Sequence, residues 1–389
     1  MRLRAAGLAL ASLLPLALLA MGCDRNGGGS GSSSSSGGDI RVGHYASMTG
    51  NETNFGVSTD NGIKLAVKER NAAGGVKGRK IKLITYDDAG KTQEVVTSVT
   101  RLVQQDKVTA LLGEVASSRS IAGGEIAQRF GVPMITPSST NEAVTEIGDM
   151  ISRVCFVDGF QGFVCATFAR NKLGHTKGAV LFNRSQAYST GLKDEFEKHF
   201  KTAGGQIVAE QAYQDGDNDF SAPLTAIRQG NPQFIFVPGY YTEVVNIARQ
   251  ARQRGITVPL IGGDGWVSEE LKNAGDALDG CFFSDHYSHE DNRPEVQEFL
   301  KKYQAEYGKI PDSMAALGYD AAKMLFAAME RAPSLKGSDL AKAIAETKGL
   351  QGVTGTITLD EKRNPVKRSI IQKIQGGKFT MFAAVDPPK

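Results

Sequence analysis

From Ile40 to Ile261 short, branched-rich apolar runs alternate with amphipathic stretches almost without interruption, and that rhythm leaves few folds open. Apolar runs without polar alternation belong to strands covered on both faces. Such strands lie parallel and need a helical crossover between them. The spacing predicts strands over 40–45, 80–86, 108–112, 132–135, 178–183, 206–212, 233–238 and 258–261. It predicts helices over 60–71, 92–105, 189–203, 220–229 and 242–254, the second with Val95, Val99, Leu102 and Val103 on one face. Beyond these, 294–346 is richer in helix signals, and 355–382 ends in short β segments. The expected class is α/β with doubly wound parallel sheets. Ile40 to Lys389 is too long for one small core and suits two lobes.

The most informative stretch runs from Leu111 to Asn141 and reads strand, loop, helix, strand, loop. Gly113 ends the first strand, and Ser117-Ser118 falls where a helix N-cap belongs. Ile121, Ile126 and Phe130 give a rough helical stripe that Gly131 stops. After the second strand, Pro137 to Asn141 forms another hydroxyl-rich loop. Open α/β sheets bind ligands at the carboxyl edge of their strands, and helix N-termini there favour anions such as a carboxylate. The competing reading is that these hydroxyls only cap helices.

Residues 1–22 read as a targeting segment: Arg2 and Arg4 precede the apolar run Ala5 to Ala20. Ala20-Met21-Gly22 before Cys23 resembles a bacterial lipoprotein lipobox, which implies lipidation of Cys23 and residence on the outer face of a membrane. A simple secretory signal is the alternative. The stretch 23–39, mostly Gly and Ser, reads as a flexible tether. Removing the signal takes two arginines and no acid, so the formal charge falls from +3 to +1. Near-neutrality argues against a nucleic-acid partner. No later stretch is apolar enough to span a bilayer, so the lipid would be the only membrane attachment.

Several ordered motifs resemble the type I periplasmic solute-binding proteins of branched-chain amino acid ABC transporters, the leucine/isoleucine/valine-binding group. They are NGIKLAVKERNAAGGVKGRKIKLITYDD, GEVASS, GVPMITPSSTN, DGFQG, FVPGYY and LIGGDGW, spread over 40–386. The resemblance implies two doubly wound lobes joined by three crossovers with ligand held between them. It puts the first lobe at 40–157 plus 287–362 and the second at 158–286 plus 363–389. It gives Ser117 the role of gripping a ligand carboxylate, helped by backbone groups at Ser138, Ser139 and Thr140. The Thr140 hydroxyl and Asp264 would meet the α-ammonium; the type sequence has Glu at the Asp264 position. Tyr188, Tyr240 and Phe55 match aromatic positions of the cleft, and Ala116 also falls at the ligand site. Asp158 and Gln161 fall at the first crossover, as hinge or ligand residues. The implied partners are a small amino acid and an ABC permease, with no cofactor, the protein acting as a monomer.

Taken alone, Asp264 after Gly-Gly could be a turn residue, Tyr188 a core residue, and Asp87-Asp88 a solvated turn. Gly90 and Ala116 occupy the two positions of the type sequence's disulfide, so that bridge is absent. Cys155, Cys165 and Cys281 leave either one pair and a free thiol or three buried thiols. No Cys/His spacing suits zinc, and His286 and His289, in HYSH, read as a solvated loop, with metal chelation the alternative. The chain carries no GxSxG, P-loop, HExxH or early GxGxxG, so catalytic residues are not expected. The alternative function is a sensory, amide-binding or carboxylate-binding receptor of the same fold.

Overall fold

The computed structural model describes residues 38–387, so the targeting segment, Cys23 and nearly all of the tether lie outside the described residues. β1 (Ile40–Ala46), β2 (Ile81–Asp87), β3 (Ala110–Leu112), β4 (Met134–Thr136) and β5 (Ile151–Arg153) form an all-parallel sheet ordered β2-β1-β3-β4-β5. They are linked by α1 (Thr53–Ala72), α2 (Thr92–Gln104), α3 (Ser117–Phe130) and the short α4 (Ala143–Glu146). Neighbouring residues of one strand serve opposite faces, as the pleat requires. Val42 and Leu112 face a core shared with α1, whereas Leu111 and Met134 face Val95, Val99 and Leu102 of α2.

α5 (Asp158–Thr167) opens a second series: β6 (Lys177–Asn183), α6 (Ala187–Thr202), β7 (Gln206–Tyr213), α7 (Ser221–Gln229), β8 (Phe234–Val237), α8 (Tyr241–Gln253), β9 (Leu260–Gly262) and β10 (Phe282–Asp285). The chain then returns to the first lobe with α9 (Pro294–Tyr307), α10 (Ser313–Arg331), α11 (Gly337–Ala345) and the small hairpin β11 (Leu350–Gly352) and β12 (Gly355–Ile357). Finally β13 (Ser369–Gln375) and β14 (Lys378–Val385) join the second sheet, whose order is β14-β13-β10-β9-β8-β6-β7. Only β13 is reversed in it, pairing antiparallel with β10 on one side and with β14 on the other. The backbone therefore passes between the two sheets after β5, after β10 and after β12.

α10 seals the first lobe against α1, and two glycines permit the approach. A Cβ at Gly62 would lie 2.0 Å from the Ala315 carbonyl oxygen, and one at Gly318 would lie 2.5 Å from that of Thr59.

The alternation holds, and the departures have local causes. α1 begins at Thr53, so Phe55 sits on its first turn rather than in a loop. β5 and β10, with three and four residues, are too short to stand out by period. β13 and β14 are full strands of seven and eight residues. Phe130, the last residue of α3, leaves the expected stripe and is 43% exposed. Cys155, Cys165 and Cys281 are all free and buried, which settles the cysteine alternatives. Burial pushes the first two thiols up to about 12, where they are inert.

Candidate functional site

Five loops leave the carboxyl ends of parallel strands and converge between the lobes. β3 leads to Ser117, β4 to Ser138–Thr140, β6 to Tyr188, β8 to Tyr240 and β9 to Asp264. That edge is the one from which open α/β sheets bind.

The first lobe supplies hydroxyls. The expected N-cap role of Ser117-Ser118 is not what the backbone shows, because Ala116 occupies the cap position and makes no side-chain cap. The two serines fall inside the first turn, so their hydroxyls are free for other work. Ser118 Oγ accepts from the Ala187 N–H of the second lobe at 2.9 Å. Ser117 Oγ accepts from the Asn141 N–H at 3.3 Å. The Ala116 N–H donates to Glu114 Oε2 at 2.5 Å. Ser138 Oγ and Thr140 Oγ1 are buried and meet no hydrogen-bond partner. Ser139 differs, since its hydroxyl turns inward to the carbonyls of Glu114 and Val115 and to Ser120 Oγ, clamping one loop to the other.

The second lobe supplies a fixed carboxylate. Asp264 opens a single short helical turn and is only 3% exposed, so it is not a solvated turn residue. Gln161 Nε2 donates to its Oδ1 at 2.9 Å, and His286 Nε2 lies 3.0 Å from its Oδ2. The expectation of a solvated His286 is therefore overturned: the residue is 1% exposed and stacks on Phe156 at 3.7 Å between ring centres. Burial lowers its pKa, with Asp264 opposing. Asp158 is fully buried nearby with neither oxygen hydrogen-bonded, and burial, then Glu142, pushes its carboxyl well above the usual carboxylate range.

Aromatic rings close the space between. Tyr188 and Tyr240 stack at 5.3 Å with 8° between planes, and Phe55 from the first lobe meets Tyr240 edge-on at 5.5 Å. The Tyr188 hydroxyl accepts from the Gly265 N–H at 3.1 Å, whereas the Tyr240 hydroxyl is buried without a partner. Val115, Ala116 and Met314 join Phe55 in the apolar cluster that otherwise belongs to the second lobe. A periodic core signal gives no way to tell such residues from ordinary packing.

Further bonds tie the lobes together in a closed arrangement. Asn141 Nδ2 donates to the Ala187 carbonyl at 2.8 Å, Tyr241 OH to that of Asn51 at 2.9 Å, and Asn54 Nδ2 to Ser268 Oγ at 3.0 Å. At the rim, a cavity of about 280 Å³ is lined by Glu52, Gly90 and Arg119 from one lobe and Gln186, Asp215 and Glu243 from the other. Beneath it Arg119 Nε lies 3.2 Å from Glu114 Oε2, and Arg119 NH1 lies 3.3 Å from Glu52 Oε2 and 3.2 Å from the Gly90 carbonyl oxygen. Asp88, expected in a solvated turn, is buried in this network, and Ser47 Oγ bridges it to Glu114 at 2.9 Å on each side.

The arrangement suits a short molecule that is anionic where it meets hydroxyls and cationic where it meets Asp264. Among the described residues no group of three His, Cys, Asp or Glu side chains could hold a metal ion, and no helix is long and apolar enough to cross a membrane.

Comparison with known proteins agrees with this geometry. Residues 39–378 match the periplasmic binding protein family. The chain belongs to that family. A leucine binding protein of Thermotoga maritima is similar at 36% identity, with a TM-score of 0.86 over 90% of this chain and 99% of that one. The branched-chain amino acid transporter substrate binding protein of Streptococcus pneumoniae, solved with isoleucine, is 32% identical, with a TM-score of 0.83 over 89% and 99% of the two chains. An amino acid binding protein of Pseudomonas aeruginosa is 35% identical over 234 residues, which span 60% of this chain and 62% of that relative, less than two thirds of its length. As a periplasmic binding protein, the chain shares the two parallel-sheet lobes of these structures.

Proposed function

We propose that this periplasmic binding protein captures a small α-amino acid with a branched-chain-like side chain and delivers it to an ABC permease. One observation carries the reading: Ser117, Ser138 and Thr140 are buried beyond strands of one lobe and Asp264 beyond a strand of the other, with two of the three hydroxyls unpartnered. Hydroxyls and the N-terminal N–H groups of α3 would hold the carboxylate, and Asp264 the ammonium. The Ser139 contribution is through its backbone, since its side chain is committed elsewhere. Phe55, Val115, Met314, Tyr188 and Tyr240 would enclose the side chain. Relatives named for leucine or solved with isoleucine support that ligand class.

No bond is made or broken in this role. The lobes, taken as 40–157 plus 287–362 and 158–286 plus 363–389, close by a hinge at the three chain passages, and the closed form engages the permease. The protein acts as a monomer outside the cytoplasm, held by a lipid on Cys23 through the tether at 23–39. Calorimetric titration of the purified protein with the twenty amino acids tests the ligand. A saturable heat for leucine, isoleucine or valine is expected, and no binding by any amino acid would sink the reading. Replacing Cys23 with Ser should free the protein from the membrane fraction without changing ligand affinity.

A further inference from the structure

We propose that His286 is the positioning residue of the ammonium subsite and that its protonation sets the lower pH limit of ligand capture. The inference rests on the amino-acid reading above and adds a residue to it.

His286 follows β10 where the chain leaves the second lobe. Its backbone N–H donates to Asp285 Oδ1 at 2.7 Å, and its ring lies on Phe156, beyond the end of β5, with 24° between planes. The first two passages between the lobes thus fix the ring, and the ring fixes Asp264. Nε2 lies 3.0 Å from Asp264 Oδ2, while Nδ1 is buried and meets no partner. That pattern suits the neutral ring with its hydrogen on Nε2, donating to the carboxylate. A second proton would have to sit on Nδ1, where no acceptor waits.

The surroundings agree. Besides Asp264, Lys367 from the third passage acts on the ring and lowers its pKa, with its ammonium 2.8 Å from the Val154 carbonyl oxygen. Burial raises the Asp285 carboxyl to about 7, pushes the Asp158 carboxyl well above the usual carboxylate range, and lifts the Cys155 thiol to about 12. With the ring neutral, the Asp264 carboxylate is the partner that the pair offers to the ligand ammonium.

Opening the lobes admits water, and the ring returns toward its ordinary pKa of about 6.5. There an imidazolium would already satisfy Asp264, and the ligand ammonium would meet a neutral pair. The closed form has the lower His286 pKa, so protonation favours the open form. Affinity should therefore be full above about pH 6.5 and fall as pH drops below it, with a proton released on binding in that range.

The test is titration of leucine into the purified protein between pH 7.5 and 5.5, in two buffers of different ionisation enthalpy. The wild type should lose about tenfold in affinity and release a fraction of a proton at the acid end. His286→Gln keeps a donor for Asp264 but cannot titrate. It should bind within a few-fold of wild type at pH 7.5 and change less than about twofold across the range. Asp285→Asn, which removes another nearby group that titrates near neutrality, should keep the wild-type slope. Binding with a flat wild-type profile and no proton release overturns the inference alone, and so does an unchanged slope in His286→Gln. Proton release by the wild type decides the matter even if that variant fails to fold. A wild type that binds no amino acid at pH 7.5 overturns the amino-acid reading, and this inference with it.

Discussion

The two ends of the cleft are built on different principles. On the first lobe Ser117, Ser138 and Thr140 offer neutral hydroxyls near a helix N-terminus, each a modest dipole, and two are left without partners when the lobes close. On the second lobe the proposed site relies on one carboxylate, Asp264, whose two oxygens are held by Gln161 and His286. Recognition shared among neutral donors should fail gradually as they are removed. Recognition resting on one buried, oriented carboxylate should fail at a single substitution.

The sharpest way to break this contrast is Asp264→Ala. It leaves a ligand ammonium buried without its main partner, which typically costs about 2 to 5 kcal/mol. In titration that is roughly 30-fold to several-thousand-fold in affinity. An amino acid that binds the variant with full affinity would show that no ammonium sits there. Next in size is the effect of ligand on the whole molecule. At about 100 times its dissociation constant, ligand should add roughly 2.7 kcal/mol to the stability of the wild type, read as a rise in melting temperature. In Asp264→Ala at the same ligand concentration most of that rise should vanish.

Met314→Ala probes the region between the two ends. Loss of apolar contact should weaken leucine by about 1 to 3 kcal/mol while leaving alanine nearly unaffected, so the ratio of the two affinities is the measurement. Ser117→Ala is the smallest change, about 1 to 2 kcal/mol, because the neighbouring donors remain. Should Ser117→Ala cost as much as Asp264→Ala, the division into a shared end and a concentrated end is wrong.

Fold and site were legible to different depths. Buried parallel strands and amphipathic helices carry their period openly, so the α/β class and the order of elements could be read from Ile40 to Ile261. β5 and β10 could not, because three or four residues hold no period. At the proposed site, Ser117, Thr140 and Asp264 were singled out through motif context, and the structure buries all three beyond the carboxyl ends of β3, β4 and β9. The Ser117 hydroxyl could not be separated from a capping hydroxyl until the helix start was placed one residue earlier, with Ala116 at the cap. His286 was misjudged because polar residues in HYSH look solvated, and only the stacking on Phe156 and the contact with Asp264 bury it. Met314 gave no signal, since a methionine on the first turn of an apolar helix has the same appearance whether it faces a core or a ligand.

The Arg119–Glu114 pair reaches the backbone at Gly90 and Ala116, the two positions that the resemblance aligns with a disulfide of the type sequence. Arg119 reaches the Gly90 carbonyl, and Glu114 takes the Ala116 N–H. A covalent bridge there would make assembly depend on an oxidising compartment and on the enzymes that form and shuffle disulfides. A charge-assisted clasp forms as soon as the chain folds and needs no electron acceptor. With its remaining thiols buried and unpaired, the described part of this protein should mature, melt and refold identically with or without reductant.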